Sequence, residues 1–541
     1  MKLKKIIVIM LALVMVLSLA ACGNNDENNT AKETSNQEAS NQEPKEGKKI
    51  FKYGNDLGAL TGLDVHLFTT SEVFEVSEQT HEALIGVRTG TYELYPLLIT
   101  EMPKVSEDGL TYSFELKKGI KFHDGSELTS HDVKYTLERI FTPSVGNVNT
   151  WICDMIKGSK EMLEGEATEL SGFKLIDDYK FEISLYEPYA PFEAVMATTQ
   201  MVIFPEEAES YGKDWGLKTY IGTGPLKLKE FQPKVKVMLE RFDDYHGEVA
   251  KLDELHFLNM EANTALLEFE KGNIHLARVQ ESLVDQYKDD EKLKDKLREQ
   301  NLIGIIALTL NHEKPPLDDV RVRKAVSLAV DRKSLAENYL KGNVSPAKSM
   351  LPPGVLGYDP DAPELEYNPE KAKELLAEAG YPDGVELTSV VSEKNKLVGV
   401  FTVLQAQLKE AGITLNIQQV DKPSYVDLRK RGEIQMPILT WYADYVDPDN
   451  FLYTFLYKEN SVFFSSNYKN EEFNKLAEEG RRIANREERE ELYKKLDYKV
   501  VHEDLPHSPL YTPKAFYMEA DNVDGLEMQN FTFRFYNTDL K

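Results

Sequence analysis

Three stretches of this 541-residue chain group residues whose types and spacing could do chemistry. Ser345-Pro346-Ala347-Lys348 sets a serine three residues before a lysine, the spacing used for acyl transfer by penicillin-recognising enzymes. The accompanying Ser-Asp-Asn and Lys-Thr-Gly elements are missing, and no Gly-x-Ser-x-Gly occurs, so this spacing carries no nucleophile. His502-Glu503-Asp504-Leu505-Pro506-His507 separates its histidines by one residue too many for a helical zinc motif, and Pro506 interrupts it; no metal site and no cofactor are expected. The third stretch, Thr440-Trp441-Tyr442-Ala443-Asp444-Tyr445-Val446-Asp447-Pro448-Asp449-Asn450-Phe451, is the one that points to function, and its chemistry is binding. Asp447, Asp449 and Asn450, flanking Pro448, read as turn and helix-cap residues. No Gly-x-x-x-x-Gly-Lys-Ser/Thr loop is present, so the chain does not hydrolyse ATP.

The elements that must hold this stretch can be read around it. Pro437 to Trp441 reads as a short buried strand that a proline can open, and the polar loop begins where it ends. Crevices at strand ends are where α/β folds present ligand-binding groups. Arg429, Lys430 and Arg431, just upstream, read as a solvated helix end, and by charge alone are candidates for a ligand carboxylate, whose recognition stays open. Asn368 to Gly380 is a capped helix with Ala372, Leu375, Leu376 and Ala379 on one apolar stripe, and Lys234 to Phe242 is a strand. Strand and helix patterns alternate throughout, which places the body in the α/β class. Asp108 to Ile140 shows hairpin grammar: Thr111 to Leu116 and Gly119 to Phe122 alternate, with breaks at Lys117-Lys118-Gly119 and Asp124-Gly125. Thr129, three residues before Asp132, then opens a helix carrying Val133, Leu137 and Ile140.

The N-terminus addresses the chain to a membrane. Lys2, Lys4 and Lys5 precede an apolar run from Ile6 to Leu19 that is too short for an ordinary span, so residues 1–21 are read as a signal peptide. Leu19-Ala20-Ala21-Cys22 resembles the bacterial lipobox, which makes Cys22 the lipidated residue and the acyl chains a membrane anchor. Residues 22–48 lack aromatic and large aliphatic side chains and form a flexible tether. Cys153 is the only other cysteine, so no intramolecular disulfide is available and the core must supply stability. A formal net charge of -27 excludes nucleic acid as a partner, because phosphate contacts need clustered Lys and Arg.

Several blocks, in order along the chain, resemble extracellular solute-binding protein family 5, the oligopeptide, dipeptide and nickel receptors of ABC importers. They are Leu63-Asp64 with His66, His81-Glu82-Ala83-Leu84, the Asp108 to Ile140 block, Ile221-Gly222-Thr223-Gly224-Pro225, and Glu270 to His275. Pro316-Leu317-Asp318-Asp319-Val320-Arg321-Val322-Arg323-Lys324-Ala325-Val326 and Ala329-Val330-Asp331-Arg332 complete the set. Val65 stands where the family has proline, and Asn273 and His275 also depart from its pattern.

The resemblance implies a type II periplasmic-binding-protein-like fold of three lobes with a hinge and an interlobe ligand cleft. Lobe I is expected from residues 49–80, 205–300 and 500–541, an inserted lobe II from 81–204, and lobe III from 301–499, with hinge segments near Asn301 and Val500. It further implies that Asp444, three residues after Trp441, pairs with the free α-amino group of a peptide. The backbone around Thr440 and Tyr442 would hydrogen-bond the ligand's main chain, while Thr70 and Ser71 on one loop and Trp151 in the inserted lobe complete the contacts. The expected molecule is a non-enzymatic monomer, lipid-anchored outside the cell membrane, that delivers peptide to a permease driven by separate ATPase subunits. Receptors of the same family for nickel, a metal chelate or another solute, or for a peptide signal, are the alternatives, and Asp444 argues against the metal reading.

Overall fold

Asp132 decides where the main helix of the Asp108 to Ile140 block begins. The computed structural model describes residues 47–541 except Lys394 and Lys396, so the signal peptide, Cys22 and nearly all of the tether lie outside the described residues. Thr129 Oγ1 accepts from the His131 amide at 3.3 Å, and the Asp132 carboxylate accepts from the Thr129 amide at 2.8 Å, the reciprocal bonds of a capping box. The helix Ser130–Phe141 buries Val133, Leu137 and Ile140 as its spacing predicts. The hairpin expectation needs correction. Thr111–Glu115 is a strand, but it pairs with Lys180–Ser184 and Lys104–Val105, not with residues 119–122. Gly119, at φ +77°, turns the chain away, and Lys121 makes only an isolated bridge to Glu127 around Asp124-Gly125. Phe173–Asp177 completes this four-stranded sheet, on which Phe114, Phe181 and Phe173 stack at 5.1 and 5.2 Å.

Residues Lys48–Lys541 form one compact unit around a larger, ten-stranded mixed sheet. Its main path runs Ile438–Tyr442, Gly304–Thr309, His507–Glu519, Leu276–Val279, Ile50–Asn55, Glu254–Asn259, Lys236–Arg241 and Leu226–Gln232. The 13-residue strand His507–Glu519 is shared: it pairs with Gly304–Thr309 at one end and Leu276–Val279 at the other, and also receives Leu297–Asn301 and Val344–Pro346. Val385–Ser392 and Ile413–Val420 lie parallel in a separate sheet, joined by the crossover helix Val398–Glu410. The helix Pro369–Glu378 is capped by Asn368 and buries Ala372 and Leu376, while Leu375 and Ala379 are only partly covered.

The recurrent sequence blocks are places where distant segments meet through polar contacts. Asp64 receives both terminal nitrogens of Arg139, at 3.2 and 2.5 Å, and His66 Nδ1 lies 2.8 Å from the same guanidinium. Thr223 Oγ1 donates to Glu82 at 2.8 Å, joining the Gly222-Thr223-Gly224 turn to the residues after helix Ser71–Thr80. A Cβ on Gly222 would come within 2.2 Å of the Thr80 carbonyl oxygen, so only glycine fits that approach. Asp319 caps the helix Val320–Leu328, and Arg323 from its first turns donates to the carbonyls of Leu317, Asp318 and Asp504.

Candidate ligand-binding site

The strand that leads into the Trp441–Asp444 loop is short because it ends the sheet. Ile438–Tyr442 pairs only with Gly304–Thr309, so one of its edges carries no partner strand among the described residues. The Thr309 amide donates to the Pro437 carbonyl and the Ala443 amide to the Ile303 carbonyl, which sets the odd-numbered residues toward the sheet. In an antiparallel ladder the intervening residues face away, so the amides and carbonyls of Thr440 and Tyr442 point at the open edge. This corrects the expectation of a buried strand: Ile438 and Leu439 are buried, but Thr440 and Tyr442 are exposed. An apolar run shows that one face packs; it says nothing about whether a neighbour covers the edge.

Beyond the strand, Asn450 organises the loop. Its Oδ1 accepts from the Trp441 indole at 3.0 Å and from the Asp444 amide at 3.1 Å, and its Nδ2 donates to Asp444 Oδ2 at 3.3 Å. Asn450 is fully buried and is more than the turn residue expected, since it fixes the ring and the carboxylate together. Trp441 is further held edge-on by Phe455 and Phe464, at 5.2 and 5.8 Å. Asp447 does act as a cap, accepting from the Asp449 amide at 2.9 Å, and also takes Arg489 in a buried bidentate pair at 2.7 Å on both arms. Asp449 accepts from the Tyr445 and Tyr189 hydroxyls at 2.9 and 3.1 Å and faces Arg481 Nε at 3.2 Å.

Asp444 differs from these two aspartates. No Lys, Arg or His among the described residues lies within ion-pair distance, and the Asn450 amide is its one side-chain hydrogen-bond donor. Asp444 is exposed to water. The protein around it nevertheless displaces enough solvent to raise its pKa above the ordinary aspartate range, against the opposing Asn450 hydrogen bond.

A cavity of about 770 Å³ opens beside the strand, its walls including Thr440, Trp441, Trp151, Tyr189, Phe463 and Arg429. Trp151 sits on the 3-10 turn Thr150–Cys153 and is 46% exposed, a wall residue and not a core one. Asp444 lies outside this cavity, in a neighbouring recess of about 110 Å³ that also contains Glu78, Asn530 and Arg534. Tyr445 borders both. The reading of residues 429–431 as a solvated helix end holds for Lys430, which is exposed, and for Arg431, paired with Asp427 and Glu433. It fails for Arg429, which leans over the Phe463 ring at 4.8 Å inside the cavity.

Comparison with known proteins gives this architecture a family. The family model described as "Bacterial extracellular solute-binding proteins, family 5 Middle" matches residues 93–463. The chain belongs to this family. It is 29% identical over 503 residues to the dipeptide-binding protein of Escherichia coli strain K12, covering 88% of this chain and 92% of that protein. It is also 29% identical, over 84% of this chain and 86% of the other, to heme-binding protein A of Haemophilus influenzae. Among solved structures, the periplasmic binding protein DppA of Helicobacter pylori in complex with the peptide STSA superposes with a TM-score of 0.70 at 27% identity, covering 91% of this chain and 98% of that one.

Within this solute-binding protein the expected site residues divide into two groups. Thr440, Trp441 and Trp151 share the cavity; Tyr442 and Asp444 follow on the same strand and loop. Thr70 and Ser71 are elsewhere: Thr70 precedes the helix Ser71–Thr80 with its hydroxyl buried and unpartnered, and Ser71 is exposed and donates to Glu72. Neither borders the cavity or the Asp444 recess. Arg429 is the residue that sequence reasoning placed wrongly, and Asn450, though in the expected turn, has a role that reasoning missed. The helical face of Arg429 and the inward turn of Asn450 depend on residues more than 20 positions downstream or on the loop's closure, which no local pattern shows. Among the described residues no group of three or more His, Cys, Asp or Glu could hold a metal, and no helix is long and apolar enough to cross a membrane.

Proposed function

We infer that this protein captures peptides with a free amino terminus and hands them to a membrane permease. The observation that carries the reading is Asp444: a fixed carboxylate next to a strand whose outward amides and carbonyls at Thr440 and Tyr442, like the carboxylate, have no partner among the described residues. An extended peptide can add its main chain to that edge while its ammonium meets Asp444, a mode that gives affinity without reading sequence. The relatives named for peptide binding support the same reading. Binding is followed by closure of a three-lobed body about hinge segments near Asn301 and Val500, with Thr70 and Ser71 approaching from the opposite lobe. The chain then acts as a receptor and not as an enzyme, a monomer held at the outer face of the membrane by lipid on Cys22. Native mass spectrometry of the purified protein tests the ligand class: co-purified masses matching short peptides are expected, and a metal chelate or porphyrin mass would overturn the assignment.

A further inference from the structure

Residues 84–203 build one hydrophobic core, and among the described residues a single buried side chain from beyond residue 203 enters it: Tyr445, the neighbour of Asp444. Its hydroxyl lies 3.1 Å from that of Tyr189 and donates to Asp449 at 2.9 Å, while Tyr189 donates to the same carboxylate at 3.1 Å. Around this buried cluster the Ala190 amide donates to the Arg481 carbonyl at 2.6 Å, and the Arg481 guanidinium lies over the Tyr189 ring at 4.6 Å. At the surface Glu187 pairs with Arg482 at 2.9 Å. The loop that carries Asp444 is thus fastened, one residue on, to the body that forms the facing wall of the cavity.

This junction differs from the one on the other side of the same core. Residues 84–203 meet the Asp64 segment through the buried Arg139 guanidinium, so separating them would strand a charge in the interior, which is strongly unfavourable. At the Tyr445 junction no such charge is left behind. When Tyr189 withdraws, Asp449 keeps Arg481, 3.2 Å away and on its own side of the junction. Parting there gives up one hydroxyl bond to Asp449, one backbone bond, a screened surface pair and the burial of one ring. Water replaces the polar losses, so contacts of this kind can part and rejoin.

We propose that Tyr445 is a positioning residue that latches the cleft over bound peptide, seating in the core of residues 84–203 when the lobes close and withdrawing when they open. The proposal rests on the peptide reading and the closure given above. Because Asp444 and Tyr445 are consecutive, a ligand ammonium that holds the carboxylate in place also holds the ring at its socket, and the seated ring slows the ligand's departure. The coupling is reciprocal.

Stopped-flow release of trialanine from the native full chain and its variants tests the latch, with Trp151 and Trp441 on the cavity wall supplying the fluorescence signal. Tyr445→Leu is expected to raise the dissociation rate roughly 10- to 100-fold and to leave the association rate within about threefold, since Asp444 and the strand edge remain. Arg482→Glu, whose side chain does not border the cavity, is expected to raise the dissociation rate about two- to fivefold, and adding Glu187→Arg to return it to near the native value. Damage to the loop alone would not give that rescue. A dissociation rate within about twofold of native in folded Tyr445→Leu, no effect of Arg482→Glu, or no rescue by the exchanged pair overturns the latch and leaves the peptide reading standing. Should Tyr445→Leu not fold, the exchanged pair decides by itself. Failure of alanine peptides of two to five residues to bind the native chain overturns the peptide reading and the latch with it.

Discussion

The junction around Asp64 and the loop around Asp444 both place an aspartate among aromatic rings, yet they treat it in opposite ways. Asp64 is buried, takes two hydrogen bonds from Arg139, and the same guanidinium is shared with His66. Asp444 has one amide donor at 3.3 Å and open water beyond. The first arrangement ties helix Ser130–Phe141 to the segment before helix Ser71–Thr80, and every charge in it is answered from within the chain. The second has no cation partner among the described residues, in keeping with the proposed ligand ammonium. Asp447 and Asp449, a few residues away, behave like Asp64, taking Arg489 and Arg481. On the proposed reading, what marks the binding carboxylate is neither acidity nor partial burial but the lack of a cation partner among the described residues.

The contrast can be broken most forcefully at the internal pair. Arg139→Met should cost about 3–5 kcal/mol of stability, because it leaves Asp64 buried and unpaired. Chemical denaturation should register that loss while ligand affinity changes less than twofold. Asp444→Ala should do the reverse, removing about 2–3 kcal/mol of affinity for amine-bearing peptides with the melting temperature nearly unchanged. If the affinity of Asp444→Ala equals that of the native protein, the contrast fails. Because burial raises the Asp444 pKa, its ionised form is lost at a higher pH than an ordinary aspartate's. Peptide affinity should thus fall on acidification, beginning above pH 4, and calorimetry across pH 4 to 7 reads this directly. Asn450→Ala is expected to blur the distinction, costing about 1–3 kcal/mol of stability by stranding the Trp441 indole and the Asp444 amide, and weakening ligand binding as well. Thr440→Val marks the lower end: the backbone groups at the edge remain, so affinity should stay within about 0.5 kcal/mol.

Much of the fold could be read from local grammar, and the reasons are visible at particular residues. The Thr129 to Asp132 capping box and the Asn368 cap act within a few residues of themselves, so spacing alone locates both helix starts. Gly222 is legible as a turn, but its purpose, the approach to the Thr80 carbonyl, spans 142 positions. The hairpin misreading at residues 119–122 has the same origin, since the true partner of Thr111–Glu115 is Lys180–Ser184. At the site, Trp441 and Asp444 stood out because their three-residue spacing matches the pattern that the family resemblance implies. Arg429 did not, since three consecutive basic residues look alike until the helix shows which of them faces Phe463.

The unpaired edge of Ile438–Tyr442 also bears on how this protein keeps in solution. A row of free amides and carbonyls on a strand is a template for any other extended chain, including a second copy of the same segment. This edge is only five residues long and ends in a loop pinned by Asn450, which restricts how far a foreign strand could zip along it. Whatever extended ligand occupies it also caps it. Cargo would then act as a protective cover, and the emptied receptor would be the form most exposed to self-association.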